Sequence, residues 1–577
     1  MLSALDFTLI ILYLLLSLSI SLWYARRASK NVKEFFLSGR NLPWWIAGTS
    51  MVATTFAADT PLAVAEIVYQ NGISGNWLWW NALIGGMITT FFFAKLWQRA
   101  NVMTDVSLIE IRYSGKAAQI LRTFRAIYSG VFMNAIIIGW VNAALITILQ
   151  VFFNLSYTNA LWFTFGCMLF TAIYASLSGL WGVTVTDAIQ FVIAMIGCIV
   201  LAAIVLNHER VGGVEGLKSK LSPETFNFLP HFSSQTIGKS MSVGIGTFLT
   251  YIGVQWWASW YPGAEPGGGG YVAQRMLACK SEKDAFWATF FFQVMHYGVR
   301  PWAWIIVGLC ALVLYPDLKN EQIKFGYVYA MRDFLPNGLR GLLIVAFFAA
   351  YMSTIATQLN WGTSYWINDV YAVWINKNNN QKHLLWASKI GTFGIMLSGC
   401  IATLMIDSIK STWEFLLHAG AGLGFVLIGR WYWWRISAWS EIVANLSPLL
   451  TYITMLLFFP NIDISLSFLI VAFSTVFWTL LATYLLPQTD FHTLQKFYNT
   501  VTPPGWWQPF SQKSVNIPFL LWNLVAAILS IIMIYSGLFS VGAFIFKEYH
   551  KLLIYALCGV FSMGLFMYLN YKNYFSL

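Results

Sequence analysis

The sequence Ala57-Ala58-Asp59-Thr60-Pro61 breaks the second long apolar stretch of the chain. Pro61 has no backbone N–H, so the carbonyl of Ala57 loses the partner that a continuous helix would give it. A second break follows the seventh apolar stretch, and its residues are Tyr261-Pro262-Gly263-Ala264-Glu265-Pro266-Gly267-Gly268-Gly269-Gly270. A run so rich in proline and glycine cannot continue as regular helix. The sequence therefore predicts two interrupted membrane helices.

The chain contains about fifteen apolar stretches of roughly the 20-residue length that a bilayer requires. They lie near 5–25, 43–69, 75–98, 124–153, 157–178, 183–206, 240–263, 284–315, 338–370, 385–407, 413–434, 438–460, 464–486, 517–541 and 551–571. Spans 2–6 and 7–11 each open with a broken helix. Because each set crosses the membrane an odd number of times, the two sets have opposite orientations. Paired broken helices in inverted repeats are typical of transporters with a site at the midplane; two ordinary proline kinks are the alternative.

The composition places the chain among polytopic membrane proteins. Of its 577 residues, 58% are hydrophobic and only 10% are charged, whereas soluble domains carry about 25% charged residues. The polar gaps between spans are too short for a large soluble domain. The six cysteines lack metal-ligand or redox spacing, which indicates packing. The first apolar segment, 5–24, has no basic region before it and no cleavage site after it, so we expect a retained helix.

The basic residues predict the orientation in the membrane. The net charge is +11, and Lys and Arg concentrate in the loops after spans 1, 3, 7, 9 and 11, which all lie on one side. By the positive-inside rule, this side is cytoplasmic. We therefore expect a multi-pass protein of the plasma membrane with its N-terminus outside and its C-terminus in the cytoplasm. The residues are Arg26, Arg27, Lys30, Lys33, Arg40, Arg99, Arg112, Lys116, Arg122, Arg125, Arg275, Lys280, Lys283, Lys377, Lys382, Arg430 and Arg435, against Lys218, Lys220 and Lys239 on the other side.

Span 9 carries a polar face without charge. Residues Ala350, Ser353, Thr354 and Thr357 share one side of a helix. Their hydroxyl and carbonyl oxygens suit a weakly held alkali cation. The alternative is that the hydroxyls bond to their own backbone or hold helices together.

The first break supplies a possible opposite wall for such a site. Ala53 and Phe56 lie one turn apart just before the break, and unwound backbone at membrane depth exposes carbonyl oxygens. If these carbonyls face Ser353 and Thr354, they form a neutral oxygen cage. Hard cations prefer oxygen ligands, and a monovalent ion needs no carboxylate in order to be held weakly and released.

Five sequence motifs occur in order over about residues 35–435. They are Phe35-Phe36-Leu37-Ser38-Gly39-Arg40-Asn41-Leu42-Pro43-Trp44-Trp45, Glu110-Ile111-Arg112-Tyr113, Tyr174 with Gly179-Leu180 and Thr186-Asp187-Ala188-Ile189-Gln190, Gln274-Arg275-Met276-Leu277-Ala278, and Ala349-Ala350-Tyr351-Met352-Ser353-Thr354 with Leu359-Asn360 and Asp369-Val370-Tyr371. In order and spacing, these motifs resemble those of the sodium:solute symporter family, which includes the sodium/proline, sodium/galactose and sodium/pantothenate transporters.

The resemblance implies an all-α polytopic fold with a five-plus-five inverted-repeat (LeuT-like) core. The core would occupy 35–435, with repeats at about 43–206 and 240–435. One accessory transmembrane helix would lie in 1–34, and about four would lie in 436–577.

The resemblance also implies a function and a sodium site. It implies sodium-coupled symport of a small organic solute by alternating access, with sodium as the coupling ion and no other cofactor. The implied sodium ligands are the carbonyls of Ala53, Phe56 and Ala350 and the hydroxyls of Ser353 and Thr354. Asp187 resembles an acidic residue near the inward sodium exit; its alternative role is that of a residue at a helix end near the cytoplasm.

The solute site is expected beside the first break. Thr55, Asp59 and Thr60 lie there. Asp59 is a carboxylate at membrane depth, which makes it a functional candidate: it can bind an amine or hydroxyls of the solute, bind a second cation, or be a protonated structural acid. Asn81 can line the facing helix or make a helix–helix hydrogen bond. Trp256, Trp257 and Tyr271 can stack on the solute or gate it, although packing and interface anchoring are the alternatives.

Three further polar residues lie at membrane depth. Arg300 can bind an anionic group or make a structural salt bridge to Glu265 or Asp59. His296 and His418 are candidates for helix packing or proton transfer. The run 262–270 resembles an insertion that reshapes the inner gate.

Two other function classes remain open on the sequence. One is a sensor or channel that keeps the fold without coupled transport. The other is a membrane-embedded transferase that uses His418 or Asp59, although the chain has no phosphate loop, HExxH motif or Gly-x-Ser-x-Gly elbow. We therefore expect a transporter and not an enzyme, with a solute, sodium and the bilayer as partners and no nucleic acid. The sequence specifies neither the solute nor the oligomeric state.

Overall fold

A computed structural model of the chain describes residues 3–230, 244–259, 263–319, 322–376, 380–406, 409–460, 462, 464–511 and 517–572. Tyr261, Pro262, Lys239 and Lys377, which entered the predictions above, lie outside these residues. The described ranges are helical apart from turns and loops, with two isolated β-bridges and no strand. Ten helices in them are long and apolar enough to cross a membrane, or eleven if one bent pair is counted as a single span. The chain is therefore a multi-pass, all-α membrane protein, as predicted.

The first repeat follows a single N-terminal helix. Its two opening helices, Trp44–Thr54 and Thr60–Asn71, are the halves of predicted span 2. The helices of this part are α1 (Ala4–Ala28), α2 (Val32–Leu37), α3 (Trp44–Thr54), α4 (Thr60–Asn71), α5 (Trp77–Trp80), α6 (Ala82–Phe92), α7 (Ala94–Ala100), α8 (Leu108–Arg112), α9 (Gly115–Ile127), α10 (Asn134–Phe153) and α11 (Tyr157–Leu206).

The second repeat opens with the other broken span. Three wider, π-helical turns, Tyr251–Gln255, Val294–Val299 and Trp366–Ile375, join or extend its helices. The helices are α12 (Gly213–Lys220), α13 (Ile245–Thr250), α14 (Trp256–Ala258), α15 (Gly270–Ala278), α16 (Glu282–Gln293), α17 (Pro301–Leu314), α18 (Gly326–Phe334), α19 (Leu339–Tyr365), α20 (Gln381–Thr403), α21 (Ile409–Ala419) and α22 (Leu423–Tyr432).

Four apolar helices and one short amphipathic helix complete the chain. They are α23 (Ala438–Phe458), α24 (Ile464–Leu485), α25 (Phe491–Val501), α26 (Ile517–Ile545) and α27 (Tyr549–Tyr571). Tyr535 on α26 donates a hydrogen bond to the carbonyl of Trp80 (2.7 Å), and Trp302 donates to the carbonyl of Leu538 (2.7 Å). These bonds fix α26 against both repeats.

The first break lies where the sequence predicts it, but its backbone is better satisfied than expected. Helix α3 ends at Thr54 and α4 begins at Thr60. Pro61 occupies the first turn of α4, where a missing N–H costs nothing. The carbonyl of Ala57, which the sequence leaves without its helical partner, accepts a hydrogen bond from the N–H of Thr60 at 3.2 Å. A tight turn thus replaces the lost helical bond.

The glycine-rich second break is buried and closely packed. The indole N–H of Trp97 donates to the carbonyl of Gly267 (2.8 Å). Gly268 has φ +80°, and a Cβ there would lie 3.0 Å from the Trp97 indole nitrogen. Only glycine combines this backbone conformation with so close an approach. Residues 263–269 therefore form a non-helical segment that leads into α15.

A third break, which the sequence analysis missed, divides predicted span 11. Helix α21 ends at Ala419 and α22 begins at Leu423. The N–H of Gly422 donates to the carbonyl of Ala258 (2.9 Å), the last residue of α14. Two helix ends therefore satisfy each other, which explains how an apolar segment without proline stays interrupted.

Helix α11 supplies two spans. At 1.5 Å per residue, its 50 residues would extend about 75 Å if straight, far more than a bilayer core. Gly179, with φ +55°, turns the chain within it. A Cβ at this position would lie 2.7 Å from the carbonyl oxygen of Phe35, so the close approach of the backbone requires glycine.

Candidate functional site

The site begins where the open end of α3 meets α19. The hydroxyl of Thr354 donates to the carbonyl of Thr54 (2.9 Å) and to the carbonyl of Ala350 on its own helix (3.2 Å). Ala53 and Phe56 are buried beside this contact, and the N–H of Phe56 donates to the carbonyl of Ala53 (3.0 Å). The predicted pairing of α3 with α19 is therefore present. The carbonyl that Thr354 contacts belongs to Thr54, which the prediction did not include.

Asp187 lies directly behind this junction. Its carboxylate accepts hydrogen bonds from Ser353 (2.7 Å) and Ser50 (2.5 Å). All three residues are buried. Asp187 was predicted to lie near an exit path for sodium; in this structure it is an internal partner of Ser353, a predicted sodium ligand. A hydroxyl that donates its proton to a carboxylate keeps its lone pairs for a cation, so this bond and sodium coordination are compatible.

Arg275 neutralises Asp187 and closes this side of the site. Its guanidinium lies 3.7 Å from the carboxylate and donates to Thr357 (2.6 Å) and Ser50 (3.2 Å). Its side chain is fully buried. These bonds join α15 to both α3 and α19. In the sequence, Gln274-Arg275 was interpreted only as part of a family motif. The signal in the sequence for a contact with Arg275 was Thr357, which lies on the polar face of α19.

Arg300 contacts the end of α3. It donates to the carbonyls of Val52 (2.8 Å) and Thr55 (3.0 Å) there, and it also contacts His296. Among the described residues it forms no ion pair with Glu265 or Asp59, so the salt bridge that was one of its two expected roles is not present. Pro301, which lacks an N–H, begins α17, and a π-helical turn that carries His296 comes just before it. Arg300 lies between these two segments. Arg300 acts as a cap for a broken helix.

A cavity of about 540 Å³ adjoins the junction. It extends from Thr54 and Thr354 along α4 to the half-buried Gln70 and Asn71, and it includes the exposed Gly244. The cavity thus reaches the surface on the side where α4 ends. The opposite side of the junction is filled by the buried cluster of Ser50, Asp187 and Arg275.

Most of the predicted solute-site residues line this cavity. Thr55, Asp59, Thr60, Asn81 and Tyr271 do so, as do Trp256, His296 and His418. Arg300 and Trp257 are not among the lining residues. Trp257 donates its indole N–H to Gly253 of its own helix (2.9 Å) and packs on an apolar cluster that includes Phe468 and Val471 of α24. The substrate contact expected for Trp257 is therefore not supported by its placement.

Several lining residues escaped the sequence analysis. Gln358, one turn after Thr354, was detectable as a polar residue in an apolar run. Ser465 and Phe468 of α24 also line the cavity. They come from a helix predicted to be accessory, and no local signal marks them.

Three polar oxygens in this cavity have no hydrogen-bond partner among the residues that the structure describes. They are Oδ1 of Asp59, Oδ1 of Asn81 and Oε1 of Gln358. All three residues are buried. Buried polar atoms are normally paired, so these acceptors are suited to a ligand or to water. Within the described ranges, no group of three or more His, Cys, Asp or Glu side chains is arranged to hold a metal ion; the oxygens at the α3–α19 junction are hydroxyls and carbonyls.

Comparison with known proteins agrees with this geometry. Residues 35–426 match the family model described as the sodium:solute symporter family. The chain belongs to this family. The sodium/glucose cotransporter of Vibrio parahaemolyticus is 23% identical to this symporter-family chain over 532 residues, which cover 87% of the chain and 93% of the relative. Sodium/glucose cotransporter 1 of Oryctolagus cuniculus is 23% identical, and the match covers 67% of the chain but 61% of that longer protein.

The fold also has a solved counterpart. A structure described as the substrate-bound outward-open state of a Na⁺-coupled sialic acid symporter superposes with a TM-score of 0.66. At 17% identity, the match covers 85% of this chain and 99% of the other, and it supports the fold alone. The predicted inverted-repeat architecture is confirmed.

Proposed function

We propose that this protein is a sodium-coupled symporter that moves a small organic solute across the plasma membrane by alternating access. Membership of the sodium:solute symporter family supports this proposal. So do the names of its relatives, which are cotransporters and not enzymes. The observation that carries it is the hydrogen bond from Thr354 on the continuous helix α19 to the open end of the broken helix α3.

Sodium is proposed to bind at this contact. Its ligands would be the carbonyls of Ala53, Phe56 and Ala350 and the hydroxyls of Ser353 and Thr354. An ion held by both helices is bound well only while α3 and α19 stay together. Sodium would therefore have a higher affinity for the conformation in which α3 and α19 are in contact. This difference in affinity between two conformations is what allows a ligand to shift the equilibrium between them.

The solute is proposed to bind in the adjoining cavity, beside Thr55, Asp59, Thr60, Asn81 and Tyr271. The cavity reaches the surface near the end of α4, and the buried Arg275 cluster lies on the other side of the junction. With the orientation predicted from the basic loops, the accessible side is extracellular. In the transport cycle, the contacts of Arg275 with α3 and α19 would open when the solute is released inward.

The sodium site can be tested without knowing the solute. We expect the purified protein to bind radioactive sodium, and its melting temperature to rise in sodium chloride relative to potassium chloride. A ligand at 100 times its Kd stabilises the native state by about 2.7 kcal/mol. The double variant Ser353→Ala/Thr354→Ala should lose both effects, because it removes both hydroxyl ligands.

A matched control removes two other buried hydroxyls. Thr164 and Thr171 on α11 each donate to the carbonyl four residues earlier in their own helix (2.8 Å). The variant Thr164→Ala/Thr171→Ala should therefore keep the sodium response. Unchanged sodium binding in the Ser353/Thr354 variant would refute the proposed site. Absence of any sodium effect in the wild-type protein would refute sodium coupling itself.

The flanking helices are proposed to be accessory to transport. The helix in 1–34 and those in 436–577 lie outside the two sets of five spans. Helix α24 is an exception that we propose contributes to the solute site, because Ser465 and Phe468 line the cavity.

A further inference from the structure

We propose that the solute is a small organic cation that carries a protonated amine, and that Asp59 is its counter-charge. The inference deepens the proposed function and depends on it. It rests on the charge, the hydrogen-bonding capacity and the aromatic lining of the cavity beside the first break.

Asp59 is a buried acid that faces the cavity. Its side chain is 4% exposed, and its Oδ1 atom has no hydrogen-bond partner in the described part of the chain. None of the ion pairs there includes it. A charged carboxylate at membrane depth is costly unless something pairs with it. A cationic ligand would supply the missing partner.

The described residues around the cavity favour a cation over an anion. The lining includes two acids, Asp59 and Glu66, and no lysine or arginine. Glu66 lies towards the surface and accepts a hydrogen bond from Gln70 (3.3 Å). The nearby Arg300 is fully buried outside the lining, where the carbonyls of Val52 and Thr55 hold its guanidinium. A carboxylate ligand would therefore meet like charge and find no basic residue in the lining.

The unpartnered oxygens point to a ligand that donates hydrogen bonds. Both amide hydrogens of Asn81 are directed at main-chain carbonyls, those of Trp77 (2.9 Å) and Leu78 (2.8 Å). Within the described ranges, its Oδ1 atom remains for a ligand, and the side-chain oxygen of Gln358 likewise has no partner there. An ammonium group with N–H bonds satisfies such acceptors, whereas a quaternary ammonium has no proton to donate.

The aromatic lining fits the same ligand class. The faces of aromatic rings attract cations, and a cavity of about 540 Å³ suits a small organic molecule. The aromatic residues that line it are Trp79, Trp140, Tyr251, Trp256, Tyr271, Tyr297 and Phe468.

The test compares isosteric ligands on the full-length protein. Three triads each contain an amine, an alcohol and a carboxylate: tyramine, tyrosol and 4-hydroxyphenylacetate; ethanolamine, ethylene glycol and glycolate; 6-amino-6-deoxyglucose, glucose and glucuronate. Thermal stabilisation is measured in sodium chloride and in potassium chloride. We expect at least one amine to stabilise the protein more than its alcohol and its carboxylate, and to do so more strongly with sodium.

The variant Asp59→Asn keeps the shape of the side chain but removes its charge. We expect it to weaken binding of the amine roughly 10- to 100-fold, which matches the loss of one hydrogen bond to a charged group. The control Glu215→Gln removes the same charge from the surface, where Glu215 pairs with Lys547, and should bind the amine normally. Tertiary amine analogues and choline extend the series and should bind more weakly as N–H groups are lost.

The outcomes separate this inference from the proposed function. The inference is wrong if no amine stabilises the protein, or if an alcohol or carboxylate is preferred in the responding triads. It is also wrong if choline binds as well as the amine, or if Asp59→Asn keeps the amine preference. The sodium response of the protein without any solute remains intact in all these cases if sodium coupling is correct. Loss of that response in the wild-type protein would instead contradict the proposed function.

Discussion

The buried pair of Asp187 and Arg275 offers a quantitative test of how the inner side of the site is held. Its atoms are 3.7 Å apart, and both side chains are fully buried. At an effective dielectric constant of 20, their attraction is about 4 kcal/mol, but burial of the two charges costs a similar amount. The intact pair should therefore add little net stability, whereas removal of one partner leaves an uncompensated charge.

We expect Arg275→Met and Asp187→Asn each to destabilise the protein by about 3–5 kcal/mol. The double variant should cost less than the sum of the two, with a coupling energy of about 2 kcal/mol. Arg275 keeps the oxygens of Thr357 and Gln274 as acceptors when the carboxylate is lost, and Asp187 keeps the hydroxyls of Ser50 and Ser353 when the guanidinium is lost. These remaining bonds should preserve folding of the single variants.

The assay is unfolding in mixed detergent micelles with increasing dodecyl sulfate, followed by far-ultraviolet circular dichroism. The control is the exposed pair of Arg332 and Asp333, whose atoms are closer, at 2.7 Å, but whose side chains are 46% and 33% exposed. Each control substitution should cost less than about 1 kcal/mol. Strictly additive effects at Asp187 and Arg275, or equal costs in both pairs, would refute the argument that burial and not distance sets the penalty.

Two further predictions concern packing and pH. A Cβ at Gly424 would lie 1.7 Å from the carbonyl oxygen of Trp257, whereas nothing lies within 4 Å of a Cβ at Gly394. In the same unfolding assay, Gly424→Ala should therefore lower the free energy of unfolding by about 1–3 kcal/mol or more, and Gly394→Ala should leave it unchanged. Equal effects of the two substitutions would contradict the close contact at Gly424. Outside the membrane, hydrogen bonds from Ser114 and Thr493 lower the pKa of Asp490, which caps α25, from 3.8 to about 2. Because the folded-state pKa is the lower one, this stabilisation is complete above about pH 4 and is lost as the pH falls to about 2. Amide protection in 491–501, corrected for the intrinsic exchange rate at each pH, should fall over that range but not in Asp490→Asn, since asparagine also caps helices without titrating. The same pH response of the corrected protection in both proteins would exclude Asp490 as its source.

The membrane class, the position of the first break and the polar face of α19 could all be predicted from the sequence. Each of these rests on a local property: the length of an apolar stretch, the missing N–H of Pro61, or the spacing of Ser353 and Thr354 along a helix. Local properties act through the chain's own backbone, so they need no knowledge of neighbours.

Which groups face one another depends on how the helices pack, and the sequence does not specify this packing locally. Helical spacing places Thr354 on a face but does not set the rotation of α3, which brings the carbonyl of Thr54 to it. The same limit explains why Arg300 caps α3, and why Trp257 packs on α24 away from the cavity. Helix packing fixes such contacts through residues distant in sequence, as with Asp187 and Arg275. The chemistry of the site was therefore visible in the chain, and its assembly depended on how the helices pack.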